Sequence, residues 1–258
     1  MPDVTTIILI SSCFFFISAM YSSAGFGGGS SYLALLSLFM TDFGVIKTAA
    51  LFCNLMVVGN SSYLFYRGGF FDRRKFIPLA LCSVPAAFWG ATIQVRQEVF
   101  FILLGSVLAL SGLMLIMQLC VRPSDKESRL SDSLHLNVLL GGTTGFLSGL
   151  VGIGGGILLS PILNLLHWDR ARKIAALASF FILVNSLAGL LGQAVSGAFS
   201  FNAGLLTPLL ASVFLGGQAG TRLSLKILPP QFLKGLTGVL VVYIGVKLVL
   251  KHTNGIDI

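Results

Sequence analysis

Charged side chains are scarce in this sequence. Asp, Glu, Lys and Arg together make up 10% of its 258 residues, whereas hydrophobic residues make up 55%. The mean hydropathy is +0.92. These values lie far outside the range of soluble globular proteins. The composition therefore predicts a polytopic membrane protein.

Acidic residues and histidines are especially few, and they lie in predicted loops, at the termini or at a helix end. The nine acids are Asp3, Asp42, Asp72, Glu98, Asp125, Glu127, Asp132, Asp169 and Asp257, and the three histidines are His135, His167 and His252. We therefore expect no buried carboxylate or histidine that could relay protons or hold a cation within the membrane. Catalytic triads, phosphate-binding loops and zinc signatures are also absent. The sequence predicts a protein that is not an enzyme and that has neither metal nor cofactor.

Neither the cysteines nor the positive charge indicates a metal or a nucleic acid. The four cysteines lie far apart in apolar segments, with no CxxC pair and no histidine nearby, so buried thiols are expected. The net charge of +8 comes from Lys and Arg in short loops between apolar segments. That placement is typical of membrane topology rather than of nucleic-acid binding.

Ten apolar segments are present, and we predict that all are helices, which makes the fold all-α. They are residues 4–24, 30–40, 45–66, 76–93, 99–119, 136–151, 157–166, 174–195, 203–221 and 232–250. The first segment lacks the basic residues and cleavage pattern of a signal peptide, so it should remain as a transmembrane helix. The second and seventh have only ten or eleven residues. A helix of that length spans roughly 16 Å, about half of the hydrocarbon core of a bilayer.

The two halves of the chain repeat one another. The glycine run at residues 25–29 matches the run at 152–156, and the next segment opens with Lys47 in one half and Lys173 in the other. Further matches pair Asn60-Ser61 with Asn185-Ser186, Pro78 with Pro208, Gly90 with Gly220 and Gly105 with Gly235. We predict a first repeat at 1–120, a cytoplasmic linker at 121–135 and a second repeat at 136–258. Each repeat has a glycine-broken helix pair followed by three transmembrane helices.

The distribution of Lys and Arg predicts the orientation of the repeats, because these residues favour the cytoplasmic side. If each broken pair enters the membrane and returns, the repeats are inverted and 13 of the 17 basic residues fall on one side. If each pair makes a single crossing, the repeats are parallel and the split is 9 to 8. We therefore predict inverted repeats, 8 to 10 membrane segments and both termini outside. Re-entrant and fully spanning pairs give the same count, so both remain open.

The glycine runs mark the predicted binding site. Residues 25–30 read GFGGGS and residues 152–157 read GIGGGI. Each glycine weakens a helix by roughly 1 kcal/mol relative to alanine, so the helix should break there. Non-helical backbone at membrane depth survives only where it is buried in protein or lines a polar cavity. The short helix after each break would present free N–H groups and the positive end of its dipole, which suits a small anion.

Neighbouring polar side chains could add hydrogen bonds to the anion. The predicted substrate-binding residues are Gly27, Gly28, Gly29, Ser30, Asn54, Asn60, Ser61, Gly154, Gly155, Gly156, Asn185 and Ser186. We predict that Lys47 and Lys173 attract anions into opposite vestibules; the alternative is that they snorkel at helix starts. Glycines can also serve close helix packing, and the asparagines interhelical hydrogen bonds. Because a triple glycine precedes a short helix in both halves, we favour a substrate-binding site over helix packing.

At the glycine runs and at the two Lys-x-Ala-Ala-Leu helix starts, residues 47–51 and 173–177, the chain resembles the TauE/SafE sulfite exporter family, also called the four-toluene-sulfonate uptake permease family. Ser160-Pro161 is part of this resemblance, which covers nearly the whole length. It implies transport of sulfite, sulfonates or related anions across a bacterial plasma membrane. The halves differ at two places, with Ala34 opposite Pro161 and Thr92 opposite Arg222, so they need not contribute equally.

The function predicted from these features is secondary transport of a small sulfur-containing anion, in the export direction, by alternating access between the two glycine breaks. The alternatives are an anion channel with a fixed pore and a membrane scaffold without transport. The expected partners are the anionic substrate and the lipid bilayer, and a homo-oligomer is compatible with the sequence.

Overall fold

The computed structural model describes residues 4–23, 26–40, 42–120, 133–224 and 230–254. Within these ranges the chain forms ten helices and no strand, which confirms the all-α prediction for the described part. The helices are α1 Val4–Ser23, α2 Gly29–Phe39, α3 Phe43–Arg67, α4 Arg73–Thr92, α5 Gln97–Cys120, α6 Leu134–Val151, α7 Gly156–Leu165, α8 Ala171–Val195, α9 Ala203–Ser224 and α10 Pro230–Asn254. Most of the predicted linker, residues 121–132, lies outside the described residues.

Six helices in the described part are long and apolar enough to cross a membrane. They are α1, α3, α4, α5, α8 and α9. Helices α2 and α7 are apolar as well but have only 11 and 10 residues, as the sequence predicts. The chain is therefore a multi-pass membrane protein with two shorter apolar helices.

The short helices begin at the glycine runs for a conformational reason. The residues before them, Gly28 and Gly155, have φ angles of 80° and 78°. This left-handed region is costly for residues with a Cβ and open to glycine. By contrast, α3 begins with a polar cap, because the Asp42 carboxylate accepts hydrogen bonds from the amides of Gly44 and Val45 at 3.0 and 3.2 Å.

Two helix pairs run parallel and make close contact through glycines. On α6, a glycine at every fourth residue lies against the backbone of α4: Gly141 on Leu79, Gly145 on Ser83 and Gly149 on Ala87. On α9, Gly216 and Gly220 lie in the same way against Phe15 and Ala19 of α1. Small residues at these positions let the helix backbones approach closely.

Two other pairs run antiparallel, α5 with α10 and α3 with α8. Gly105 and Gly112 of α5 face Gly245 and Gly238 of α10, so the residue numbers rise along one helix as they fall along the other. Between α3 and α8, the Thr48 hydroxyl donates to Gln193 Oε1 at 2.9 Å, and Leu51 lies beside Gly189. Each pair joins helices that hold the same position in the two halves of the sequence.

The other helix contacts also come in matched sets when α1 to α5 are aligned with α6 to α10. The contact α1–α9 corresponds to α4–α6, α3–α9 to α4–α8, α2–α3 to α7–α8, and α2–α10 to α5–α7. Exchanging the two halves therefore leaves the pattern of helix contacts unchanged.

Gly149→Ala should destabilise the fold, because the added Cβ would meet the backbone of Ala87. Overpacking of this kind costs about 1–3 kcal/mol, which a lowered Tm of the detergent-solubilised protein would report. Gly142→Ala, on the same helix, is the matched control, since no described atom lies within 4 Å of its added Cβ. It should leave Tm unchanged or raise it, because alanine favours a helix over glycine. Equal Tm changes in the two variants would contradict this account.

Candidate functional site

Asn54 joins the two glycine breaks. Its side chain, on α3, is fully buried. Its Oδ1 accepts a hydrogen bond from the Gly29 amide at 2.9 Å, and its Nδ2 donates to the Ile153 carbonyl at 2.9 Å. Gly29 is the first residue of α2, and Ile153 lies in the second break. Because a carboxamide carries both an acceptor and donors, one side chain bonds backbone groups of both halves.

A small cavity lies beside this bridge. It is lined by Tyr21, Phe26, Gly27, Gly28, Gly29, Ser30, Asn54, Ile153, Ile157 and Ile182. Its volume is about 10 Å³, which is room for about one water molecule. The two breaks thus meet at one place, and the space between them is closed to an oxyanion in this conformation.

The first amides of α2 and α7 provide hydrogen-bond donors at the breaks. Such amides have no carbonyl partner within their own helix. In α2 the first helical bond runs from Tyr32 to the Gly28 carbonyl at 3.0 Å, and in α7 from Leu158 to Gly155 at 3.2 Å. The preceding amides lie at the positive ends of the two helix dipoles. Donors in this arrangement are chemically suited to an anion.

Some of the other predicted residues reach the second break. Gly154 lies beside Ser186 and Asn54: a Cβ added there would be 2.8 Å from Ser186 Oγ and 2.9 Å from Asn54 Nδ2. Gly155 and Gly156 pack against Phe181 and Ile182 of α8, respectively. The hydroxyls of Ser30, on the first break, and Ser186 are buried and have no hydrogen-bond partner within the described part of the chain.

Seven predicted residues are not among those that line the cavity: the four near the second break, Gly154, Gly155, Gly156 and Ser186, and three others, Asn60, Ser61 and Asn185. Asn60 is half-buried on α3. Ser61 donates to the Val57 carbonyl of its own helix at 3.3 Å. Asn185 is buried and donates to the Phe181 carbonyl of α8 at 2.9 Å.

The two matched lysines have different surroundings. Lys47 is buried, its Nζ donates to the Leu150 carbonyl at 2.8 Å, and it lies 5.2 Å from the centre of the Phe100 ring. Lys173 is partly exposed, and its Nζ is 3.7 Å from Asp169 Oδ1. The structure thus places Lys47 in the protein interior at the end of α6, rather than in an open vestibule.

The expectation that no carboxylate is buried is wrong for Asp169. Its side chain is buried, and its Oδ2 lies 2.7 Å from Lys75 Nζ of α4. The short loop between α7 and α8 packs close to the start of α4, and Lys75 of α4 and Lys173 of α8 offset the negative charge. The one signal in the sequence is the spacing of four residues between Asp169 and Lys173, which favours an ion pair at a helix start.

Several curated proteins resemble this chain over nearly their whole length. The "Probable membrane transporter protein y4hK" of Sinorhizobium fredii is 30% identical over 250 residues, covering 95% of this chain and 98% of that protein. The "Probable membrane transporter protein MJ0441" of Methanocaldococcus jannaschii is 26% identical, covering 88% and 89%. The "Probable membrane transporter protein YunE" of Bacillus subtilis is 25% identical, covering 80% and 84%. Together with the apolar helices, these relatives support a multi-pass membrane transporter.

The family itself follows from a second comparison. The family model described as "Sulfite exporter TauE/SafE" matches residues 10–248. This chain therefore belongs to the TauE/SafE sulfite exporter family, as its glycine runs and Lys-x-Ala-Ala-Leu helix starts predict. No solved structure matches it significantly.

Asp169→Asn should lower the stability of the protein, because it leaves Lys75 and Lys173 without their common anion. Removing one partner of a fully buried ion pair costs about 3–5 kcal/mol. Because the Lys173 side chain is 30% exposed, we expect a smaller loss of roughly 2 kcal/mol. A lower Tm in detergent would report it.

Asp72→Asn is the control for this variant. The Asp72 carboxylate caps α4 through the Arg74 amide at 3.0 Å, and asparagine caps helices about as well as aspartate. Its Tm should therefore stay near that of the unmodified protein. A Tm for Asp169→Asn as high as that of Asp72→Asn would show that the ion pairs contribute little.

Proposed function

We propose that this chain is a secondary transporter that carries sulfite or an organosulfonate across a bacterial plasma membrane, by alternating access at the two glycine breaks. The observation that carries the proposal is the closed cavity between the breaks, beside the amide ends of α2 and α7. Amides at a helix start stabilise an anion through hydrogen bonds and through the helix dipole. Neutral donors hold it loosely enough for release.

Inverted repeats at 1–120 and 136–258 would provide the two alternating states. Antiparallel packing of α5 on α10, and of α3 on α8, supports this arrangement, because each pair joins corresponding helices. A two-fold axis perpendicular to these helices would exchange the two halves of the chain. It would account for the α5–α10 and α3–α8 contacts and for the matched contacts of the other helices. With the basic loops in the cytoplasm, both termini lie outside.

Export follows from the charge of the substrate. With an inside-negative potential, the exit of a monoanion is favoured by about 2.3 kcal/mol per 100 mV. No coupling ion is then required. The one buried carboxylate among the described residues, Asp169, is held by two lysines, which suits a structural ion pair better than a proton relay.

Purified protein in proteoliposomes should carry sulfite or an organosulfonate down its gradient, faster with the potential that favours anion exit. Flux of the labelled anion, measured at both polarities of the potential, tests this. A flux no higher than that of empty vesicles would refute the proposed transport function. Single-channel currents would instead identify a fixed anion pore, which the closed cavity does not favour.

Asn54→Ala should raise the KM for the transported anion by about tenfold, the effect expected when a hydrogen bond at a buried polar site is lost. Asn164→Ala is the matched control, because the Asn164 amide donates to the Ser160 carbonyl of its own helix at 2.8 Å. Its KM should stay near the original value. If both variants keep that KM, Asn54 has a structural role and does not bind the substrate.

A further inference from the structure

Lys47 places a positive charge inside the protein, and no carboxylate among the described residues pairs with it. Its side chain is 5% exposed. The contacts around its Nζ are neutral, namely the Leu150 carbonyl and the Phe100 ring. Among the described carboxylates, none forms an ion pair with it; the ion pairs of this part of the chain involve Asp169. A buried charge without a counter-charge is costly, and in membrane proteins it marks a functional position.

Lys47 also lies beside the second glycine break. A Cβ on Gly152 would be 3.4 Å from the Lys47 Cε. Asn54 follows Lys47 by seven residues, two turns along the same face of α3. Lys47 bonds the carbonyl of Leu150 and Asn54 bonds that of Ile153, so one face of α3 contacts the backbone on both sides of Gly152.

We propose that Lys47 is the specificity-determining residue for substrate charge: its ammonium pairs with the anion when the site opens. The inference rests on the proposed transport function and deepens it. In the closed conformation, the ammonium is held by the carbonyl end of α6, where the helix dipole favours a cation. The long flexible stem of lysine then allows the ammonium to exchange the Leu150 carbonyl for a substrate oxygen.

A structural role alone does not account for a lysine at this place. A neutral amide could donate to the Leu150 carbonyl with a much smaller desolvation cost. Lys173, its counterpart in the other half, is close to Asp169, which offsets its charge. The positive charge available to an anion is therefore at Lys47, and the two halves differ in how they attract the substrate.

The test compares Lys47→Gln, which keeps a donor for Leu150, with Lys47→Arg, which keeps the charge. Transport of a monoanion, methanesulfonate, and of two dianions, thiosulfate and sulfate, is measured in proteoliposomes at neutral pH. Lys47→Gln should raise KM by about tenfold for the monoanion, as expected for one lost charge-assisted hydrogen bond, and by more for the dianions. Lys47→Arg should keep the preference for dianions but shift KM, because a guanidinium is larger and planar.

Arg96→Gln is the matched control, since Arg96 is an exposed cation at the start of α5. Its KM values should not change. If Lys47→Gln changes KM equally for the monoanion and the dianions, Lys47 only caps the end of α6 and the inference is overturned. If Lys47→Gln does not fold, unchanged KM values in Lys47→Arg would overturn it equally. Absence of flux in the unmodified protein would instead refute the proposed transport function.

Discussion

Backbone groups released by a helix break must find partners in an apolar interior, and this constraint organises the centre of the molecule. An unpaired amide or carbonyl costs several kcal/mol there. Gly28 and Gly155 allow the chain to turn into α2 and α7. Asn54 then bonds a donor of the first break and an acceptor of the second. Because one side chain serves both breaks, the two halves are held together at the place where each is interrupted.

The elements of this centre could be predicted from sequence because they depend on local properties. Triple glycines break helices, and short apolar runs give short helices, so the local sequence alone predicts α2 and α7. The tertiary contacts of these elements cannot be predicted in this way. The bond from Asn54 to Ile153 depends on how α3 sits against the second break, which no local pattern encodes. Asp169 and Lys47 are buried for the same reason: the elements that cover them, α4 for one and the end of α6 for the other, are distant in sequence.

The two halves share a pattern of helix contacts but not the chemistry at corresponding positions. Lys173 lies in an ion-pair cluster with Asp169 and Lys75. Its counterpart Lys47 meets a carbonyl and a ring, and the neighbouring Thr48 bonds Gln193. In the proposed alternating-access cycle, equal contacts in the two halves would make the two end states equally stable. Ion pairs around one helix start and neutral contacts around the other would instead favour one of the two states.

The strength of the Asn54 bridge is compatible with the proposed cycle, in which the cavity is closed in the structure described and must open to admit the anion. In the proposed cycle, water reaches the freed groups when the site opens, so the two hydrogen bonds of the bridge contribute about 1 kcal/mol each and opening costs a few kcal/mol. A free-energy difference of that size would keep a minor open state populated. An oxyanion that accepts hydrogen bonds from the Gly29 amide and from Asn54 Nδ2 would give both freed donors a new partner, and charge assistance roughly doubles the strength of such bonds. In the proposed cycle the substrate thus offsets the cost of opening, while a molecule without an anionic oxygen does not. The bridge would then contribute to selectivity through the same contact that closes the cavity.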